Sequence, residues 1–410
     1  MIYNTSQLNN GMRVIHLPSE SKVIYCGIAI KAGTRDERPG EEGLAHFCEH
    51  MSFKGTEHRS AMQIINAIEG VGGELNAFTN KEDTVFYCAI QNKHFLKAVD
   101  VLTDIVFHST YPQHEVEKER EVVCDEIESY EDSPAELIYD EIENILFDGH
   151  PLGHNILGTS KQVREYSSED VCRFTRRHYR PENSVFFVSG NINFKAFVSH
   201  LANLSPSEDS ALSDICIPDN TLGNAATDCR EIVSHRGTHQ AHVIMGVRSY
   251  AAEDPRRWAL YLLNNIIGGP GLNSRLNLAL RERNGLVYSV ESSLVCYGDT
   301  GAWCIYFGCD QSDIKHCLRI VRHELDKLMQ TPLSSQQLKK AKQQIQGQLA
   351  IACDNREQFA LDFAKNYLHS GKLRDLNDIM SHIEGLTSTT LQETAIQLFD
   401  SNRITTLIYD

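Results

Sequence analysis

Three residues in the stretch His46-Phe47-Cys48-Glu49-His50 can do chemistry together. On a helix His46 and His50 stand at i and i+4, one turn apart on one face. Two imidazoles in that relation can grip one divalent metal. Glu49, three residues after His46, falls on the same side, close enough to act as a base on water activated by such a metal. The pattern H-x-x-E-H inverts the commoner H-E-x-x-H of zinc hydrolases. Helices that merely carry two histidines also match it, so the surrounding elements must supply the rest of a site.

A catalytic zinc usually takes three protein ligands and keeps one position open for water. The acidic run Glu117-Lys118-Glu119-Arg120-Glu121-Val122-Val123-Cys124-Asp125-Glu126-Ile127 offers a third. Seven residues separate Glu119 from Glu126, so on a helix they share a face two turns apart, with Val122 and Val123 between them. Carboxylates in line with an apolar stripe are costly unless a cation or donors satisfy them. The same spacing equally fits the edge of a solvated acidic face.

The elements that must position these residues recur twice along the 410 residues. In the first half, Val23 to Ile30 reads as a strand, a polar loop leads into the histidine helix, and Ser60 caps a helix that stops near Gly70. A strand from Thr84 to Ile90 follows, then helices over Lys93 to Phe107 and His114 to Phe147, the latter interrupted near Ser133-Pro134. A helix capped by Ser168 leads to a strand over Ser184 to Gly190. In the second half, strand-like His242 to Val247 precedes an apolar helix, Trp258 to Ile267. Strands over Ser289 to Val295 and Ala302 to Phe307 and further helices come after it. The pattern implies an α+β protein of two homologous domains arisen by duplication, 1–205 and 229–410, joined by a polar linker over 206–228. Only the first copy carries histidines; the second has Ala259 to Leu263 there.

A formal net charge of −16, from 39 basic and 55 acidic residues, argues against nucleic acid or an anionic membrane as the main partner. No stretch approaches the ~20 apolar residues that span a bilayer, and the first ten residues lack the pattern of a secretion signal. The 12 cysteines are scattered without a C-x-x-C pair, which suits reduced thiols and a cytoplasmic chain.

At Glu126, 76 residues beyond His50, the chain resembles the M16 metallopeptidases, the inverzincin family that includes pitrilysin, insulin-degrading enzyme and the mitochondrial processing peptidase β subunit. The resemblance implies two α/β-sandwich domains of the LuxS/MPP-like metallohydrolase fold. It implies one Zn2+ per chain held by His46, His50 and Glu126, with Glu49 as general base and Glu119 orienting a ligand histidine. The family's Asn-Ala-x-Thr signature stands here as Asn76-Ala77-Phe78-Thr79, where it implies binding of the substrate backbone along an edge strand. Arg281 and Tyr288, seven apart, match the pair that contacts the substrate and the tetrahedral intermediate. His150-Pro151-Leu152-Gly153 and Ser274-Arg275-Leu276 also fit; Pro270-Gly271-Leu272-Asn273 departs from the usual loop. The likeness covers nearly the whole chain. It implies peptide substrates and assembly from two chains, either two copies or one with a paralogue.

Other patterns carry less. His239 and His242 point to opposite faces of a strand, and Pro151 and Gly153 deny His150 and His154 a helix; both pairs read as structural or surface histidines. Gly268-Gly269-Pro270-Gly271 lacks the Lys-Ser/Thr of a phosphate loop. Cys48 reads as a packing thiol. The competing reading is a non-catalytic partner subunit of a heteromeric peptidase. Against it, one chain here retains both the H-x-x-E-H with Glu126 and the Arg281–Tyr288 pair.

Overall fold

A computed structural model describes residues 2–206 and 229–410. The expected linker thus lies, from residue 207 on, outside the described residues. Strands β1 (Asn4–Gln7), β2 (Arg13–Pro18), β3 (Val23–Ile30), β4 (Glu74–Thr79), β5 (Thr84–Gln91) and β6 (Ser184–Gly190) form one sheet in the order β1-β2-β6-β3-β5-β4. Only β2 and β6 pair in parallel. Successive side chains of a strand enter opposite faces. Ile24, Cys26, Ile28 and Ile30 of β3 join a core with Phe47, Cys48 and Met51 of the helix Leu44–Ser52, while Ala29 joins Val85, Val185 and Phe187 on the other face. Because both faces are covered, every residue of β6 is buried.

The other sheet is built from β7 (Glu231–Ser234), β8 (Ala241–Ser249), β9 (Val287–Cys296), β10 (Gly301–Cys309) and β11 (Thr405–Tyr409), in the order β7-β11-β8-β10-β9. Only β7 and β11 are parallel. Mapping β2, β6, β3, β5 and β4 onto β7, β11, β8, β10 and β9 preserves both order and direction. In each sheet a helix follows the central strand: Leu44–Ser52 after β3, Arg257–Gly268 after β8. The duplication read from the sequence is thus present in the topology.

The two compact units are not contiguous in sequence. Among the described residues, 2–128, 154–206 and 352–375 form one, and 129–153, 229–351 and 376–410 form the other. The exchanged segments do equivalent work. In the first unit, Phe359, Phe363, Ala364 and Leu368 of the helix Arg356–Ser370 cover Ala29, Val85 and Phe187. In the second, Ile138, Ile142 and Leu146 of the helix Pro134–Leu146 cover Ile244, Cys304 and Leu407. The expected break near Ser133-Pro134 is the boundary between this helix and Gln113–Glu131. The helix expected from Ser168 does begin there, but its cap is Ser167, whose hydroxyl accepts the Asp170 amide at 3.3 Å.

Fully buried Phe363 meets the rings of Tyr3, Phe187 and Phe359 at centroid distances of 5.5, 6.3 and 6.1 Å. Phe363→Ala should cost the first unit about 3–5 kcal/mol in urea unfolding. A change below about 1 kcal/mol would show that this late helix is not part of its core.

Candidate metal centre

Eight of the nine residues of the helix Leu44–Ser52 are buried; the exception, His50, is half-buried. A helix this enclosed needs partners for the backbone N–H groups at its start. Its cap, Gly43, has φ +92 and no side chain to offer, and a Cβ there would stand 2.5 Å from the Leu157 carbonyl oxygen. The missing partner is Glu37. Its carboxylate accepts the amides of Gly43 and Ala45 at 3.0 and 2.7 Å and the Nε2–H of His154 at 2.8 Å. Burial pushes Glu37 up to about 7, against the pull of these donors.

On one face of the helix three donors converge. His46, His50 and Glu126 place one ligand atom each within 4.8 Å of one another. His50 Nε2 lies 3.4 Å from Glu126 Oε2, and His46 Nε2 lies 3.9 Å from Glu126 Oε1. Two atoms each ~2.05 Å from a tetrahedral ion stand about 3.4 Å apart, so this spacing suits ligands around zinc. Glu119, seven residues before Glu126 on the helix Gln113–Glu131, accepts the Nδ1–H of His50 at 2.9 Å. A carboxylate can only accept here, so Nδ1 carries a hydrogen and Nε2 is the nitrogen turned toward Glu126. Glu119 is buried while the Glu126 side chain is 44% exposed, which leaves the cluster open on one side.

The electrostatics divide the two histidines. Burial, then the neighbouring His50, pushes His46 down to about 4, so it is neutral. It has no hydrogen bond at Nδ1, which is buried, and only the 3.9 Å approach to Glu126 at Nε2. A buried neutral imidazole left this way is costly unless a ligand takes one nitrogen. Burial would also lower His50, but the carboxylates of Glu119 and Glu126 overcome it and raise it to about 9. Glu126 is lowered, chiefly by its contact with His50. Two imidazole nitrogens and a carboxylate, with one tautomer fixed from behind, fit a zinc ion.

Glu49 lies one residue from His50, buried, with its Oε2 accepting the Thr79 hydroxyl at 2.5 Å. Burial raises its carboxyl above the usual range, partly offset by that hydrogen bond. Thr79 ends β4, an edge strand paired only with β5, and Asn76, Ala77 and Phe78 lie along the same edge. Phe78 packs against Tyr87 at a centroid distance of 6.0 Å. In the second unit, Arg281 lies in the π-helical turn Asn277–Glu282, a geometry that recurs at functional positions. Its guanidinium is 6.0 Å from the ring centroid of Tyr288, the second residue of β9, which is 83% exposed. Cys48 is fully buried and its thiol is pushed far up by burial.

Sequence reasoning missed Glu37 and the role of His154, whose 117-residue separation leaves no local signal. It placed Thr79 on the substrate edge without its bond to Glu49.

Comparison with known proteins bears on the same residues. Residues 13–160 match the model of the insulinase family, peptidase family M16, and residues 165–345 match the model described as the peptidase M16 inactive domain. The second match falls where no His, Cys, Asp and Glu cluster of metal-binding geometry occurs among the described residues. An uncharacterized zinc protease, YmxG, of Bacillus subtilis is 31% identical over 401 residues, 97% of this chain and 96% of its own. Another, SCO5738 of Streptomyces coelicolor, is 33% identical over 394 residues, 95% of this chain and 85% of its own. The crystal structure of a protease from Helicobacter pylori covers the whole chain with a TM-score of 0.92 at 22% identity, 99% of its own length being matched. That of a peptidase M16 inactive domain from Pseudomonas fluorescens also covers it all, and 98% of its own length, with 0.87 at 18%.

Raised to about 9 by Glu119 and Glu126, His50 would offer Nε2 to a metal only after losing its proton. Apparent zinc affinity should therefore rise about tenfold per unit between about pH 7 and 8.5, as read by chelator competition. A flat profile would show that His50 is already neutral in the unloaded chain.

Proposed function

Because the chain belongs to peptidase family M16, we propose that it is a zinc-dependent endopeptidase that hydrolyses peptides and small unfolded proteins bound in extended form. The observation that carries this reading is the convergence of His46, His50 and Glu126, with Glu49 held beside them by Thr79. His46, His50 and Glu126 would hold one ion, which when bound supplies Lewis acidity toward the scissile carbonyl and acidifies water.

The chain's own residues do the remaining work. Thr79 occupies Oε2 of Glu49 and leaves Oε1 to take the proton of the attacking water and pass it to the leaving amine. A carboxyl raised by burial is the better base for that transfer. Glu119 keeps the hydrogen of His50 on Nδ1. The free edge of β4 offers unpaired backbone groups to an extended peptide, so affinity needs little side-chain sequence. Asn76, Ala77, Phe78 and Thr79 are assigned to that contact. Arg281 and Tyr288 are assigned to the substrate as donors to the developing oxyanion.

The proposal extends to a cytoplasmic chain that works as a dimer, of two copies or with a paralogue. The cysteines, scattered without a C-x-x-C pair, support a reducing compartment. No helix among the described residues is long and apolar enough to cross a membrane.

Glu49→Gln keeps the shape and the hydrogen bond from Thr79 but cannot take a proton. It should retain zinc and lower kcat/KM on a quenched-fluorescent peptide by about 10²–10⁴-fold. Unchanged turnover in the zinc-loaded variant would rule out Glu49 as the base.

A further inference from the structure

The contacts of Glu119 extend past the histidine it faces. Its side chain is 6% exposed; Oε1 accepts from His50 Nδ1 at 2.9 Å, and Oε2 lies 2.6 Å from the Nζ of Lys54. Lys54 follows the histidine helix, which ends at Ser52. Its amide donates to the Met51 carbonyl at 3.1 Å, which turns the chain so that the ammonium meets the same carboxylate as His50. We propose that Lys54 is a positioning residue for the ligand His50, acting through Glu119; the inference rests on the zinc reading given above.

The physical case is one of orientation. A carboxylate bonded through one oxygen can turn about its terminal torsion, and a ligand histidine that leans on it turns too. With the second oxygen tied to Lys54, the carboxylate plane is fixed, and with it the direction of the Nδ1–H bond and of the Nε2 lone pair. Partners behind a ligand histidine contribute to metal affinity without touching the metal. The bond also gives a nearly buried carboxylate a counter-charge, without which its burial is costly.

A plainer role for Lys54 is to sit near the carbonyls at the end of its own helix, where a cation is favoured. That role does not require an ammonium 2.6 Å from an acid on another helix, Gln113–Glu131. Among the described residues, Glu119 is also the one acid within ion-pair distance of Lys54.

The test compares the full chain with Lys54→Met, Lys54→Arg, Glu119→Gln and the double variant of Lys54→Met with Glu119→Gln. Zinc affinity is read by competition with a chromogenic chelator, beside the melting temperature of each metal-free protein. Lys54→Met should weaken zinc binding about ten- to hundredfold, and Lys54→Arg should recover most of it. The double variant should bind zinc no more weakly than Glu119→Gln alone. Lys54→Met within about twofold of the parent would overturn the proposal, as would losses that multiply in the double variant. Should Lys54→Met not fold, Lys54→Gln carries the same comparison. A parent chain that binds no zinc would overturn the metal reading and this inference with it. Zinc bound by the parent and unchanged in Lys54→Met would overturn the role of Lys54 alone.

Discussion

A buried helix carrying two imidazoles and a carboxylate is stable only if each polar group meets a partner, because an uncompensated buried charge costs several kcal/mol. The first unit is arranged around that requirement. Glu37, itself bonded by His154, receives the start of the helix, Thr79 holds Glu49, Glu119 holds His50, and Glu126 stands across from both histidines. On the histidine helix, Nδ1 of His46 is buried without a hydrogen bond. The supports come from a loop, an edge strand and a neighbouring helix, so the sheet and its helices fix the geometry before any ligand arrives. Pre-organisation of this kind separates a metal site from a helix that happens to carry two histidines.

The second unit shows the same fold relieved of the requirement. Its strands repeat the order and direction of the first, and its helix Arg257–Gly268 occupies the equivalent position after the central strand. Ala259, Leu260, Leu262 and Leu263 are buried there, and apolar side chains need no partners. The shared topology therefore does not imply a shared site. What the second unit offers instead is an exposed tyrosine at the start of an edge strand, with an arginine against its ring.

What could be read from the sequence follows from which interactions have a period. The spacing of His46, Glu49 and His50, and of Glu119 and Glu126, is fixed by the helical repeat and was legible at once. Whether Glu126 was a ligand or a solvated edge was not, and the resemblance supplied the choice; in the structure Glu126 lies with His46 and His50 in a group that could hold a metal. The central strands β3, β5, β6, β8 and β10 announced themselves by apolar runs. β1, with Asn4-Thr5-Ser6-Gln7, is too short and too polar to do so. The exchange of the helices Pro134–Leu146 and Arg356–Ser370 was invisible, since an amphipathic pattern says which face is apolar and not which sheet will cover it. Glu37, Lys54 and the second role of Thr79 are tertiary contacts between distant residues, and no local rule reports them.

The proposed activity requires one ion held by His46, His50 and Glu126. Anomalous diffraction on either side of the zinc absorption edge, from crystals of the zinc-loaded chain, tests it most directly. One peak per chain is expected, about 2.0–2.2 Å from Nε2 of both histidines and from a carboxylate oxygen of Glu126. A zinc peak on other residues, or one that Glu126 does not approach, would contradict it.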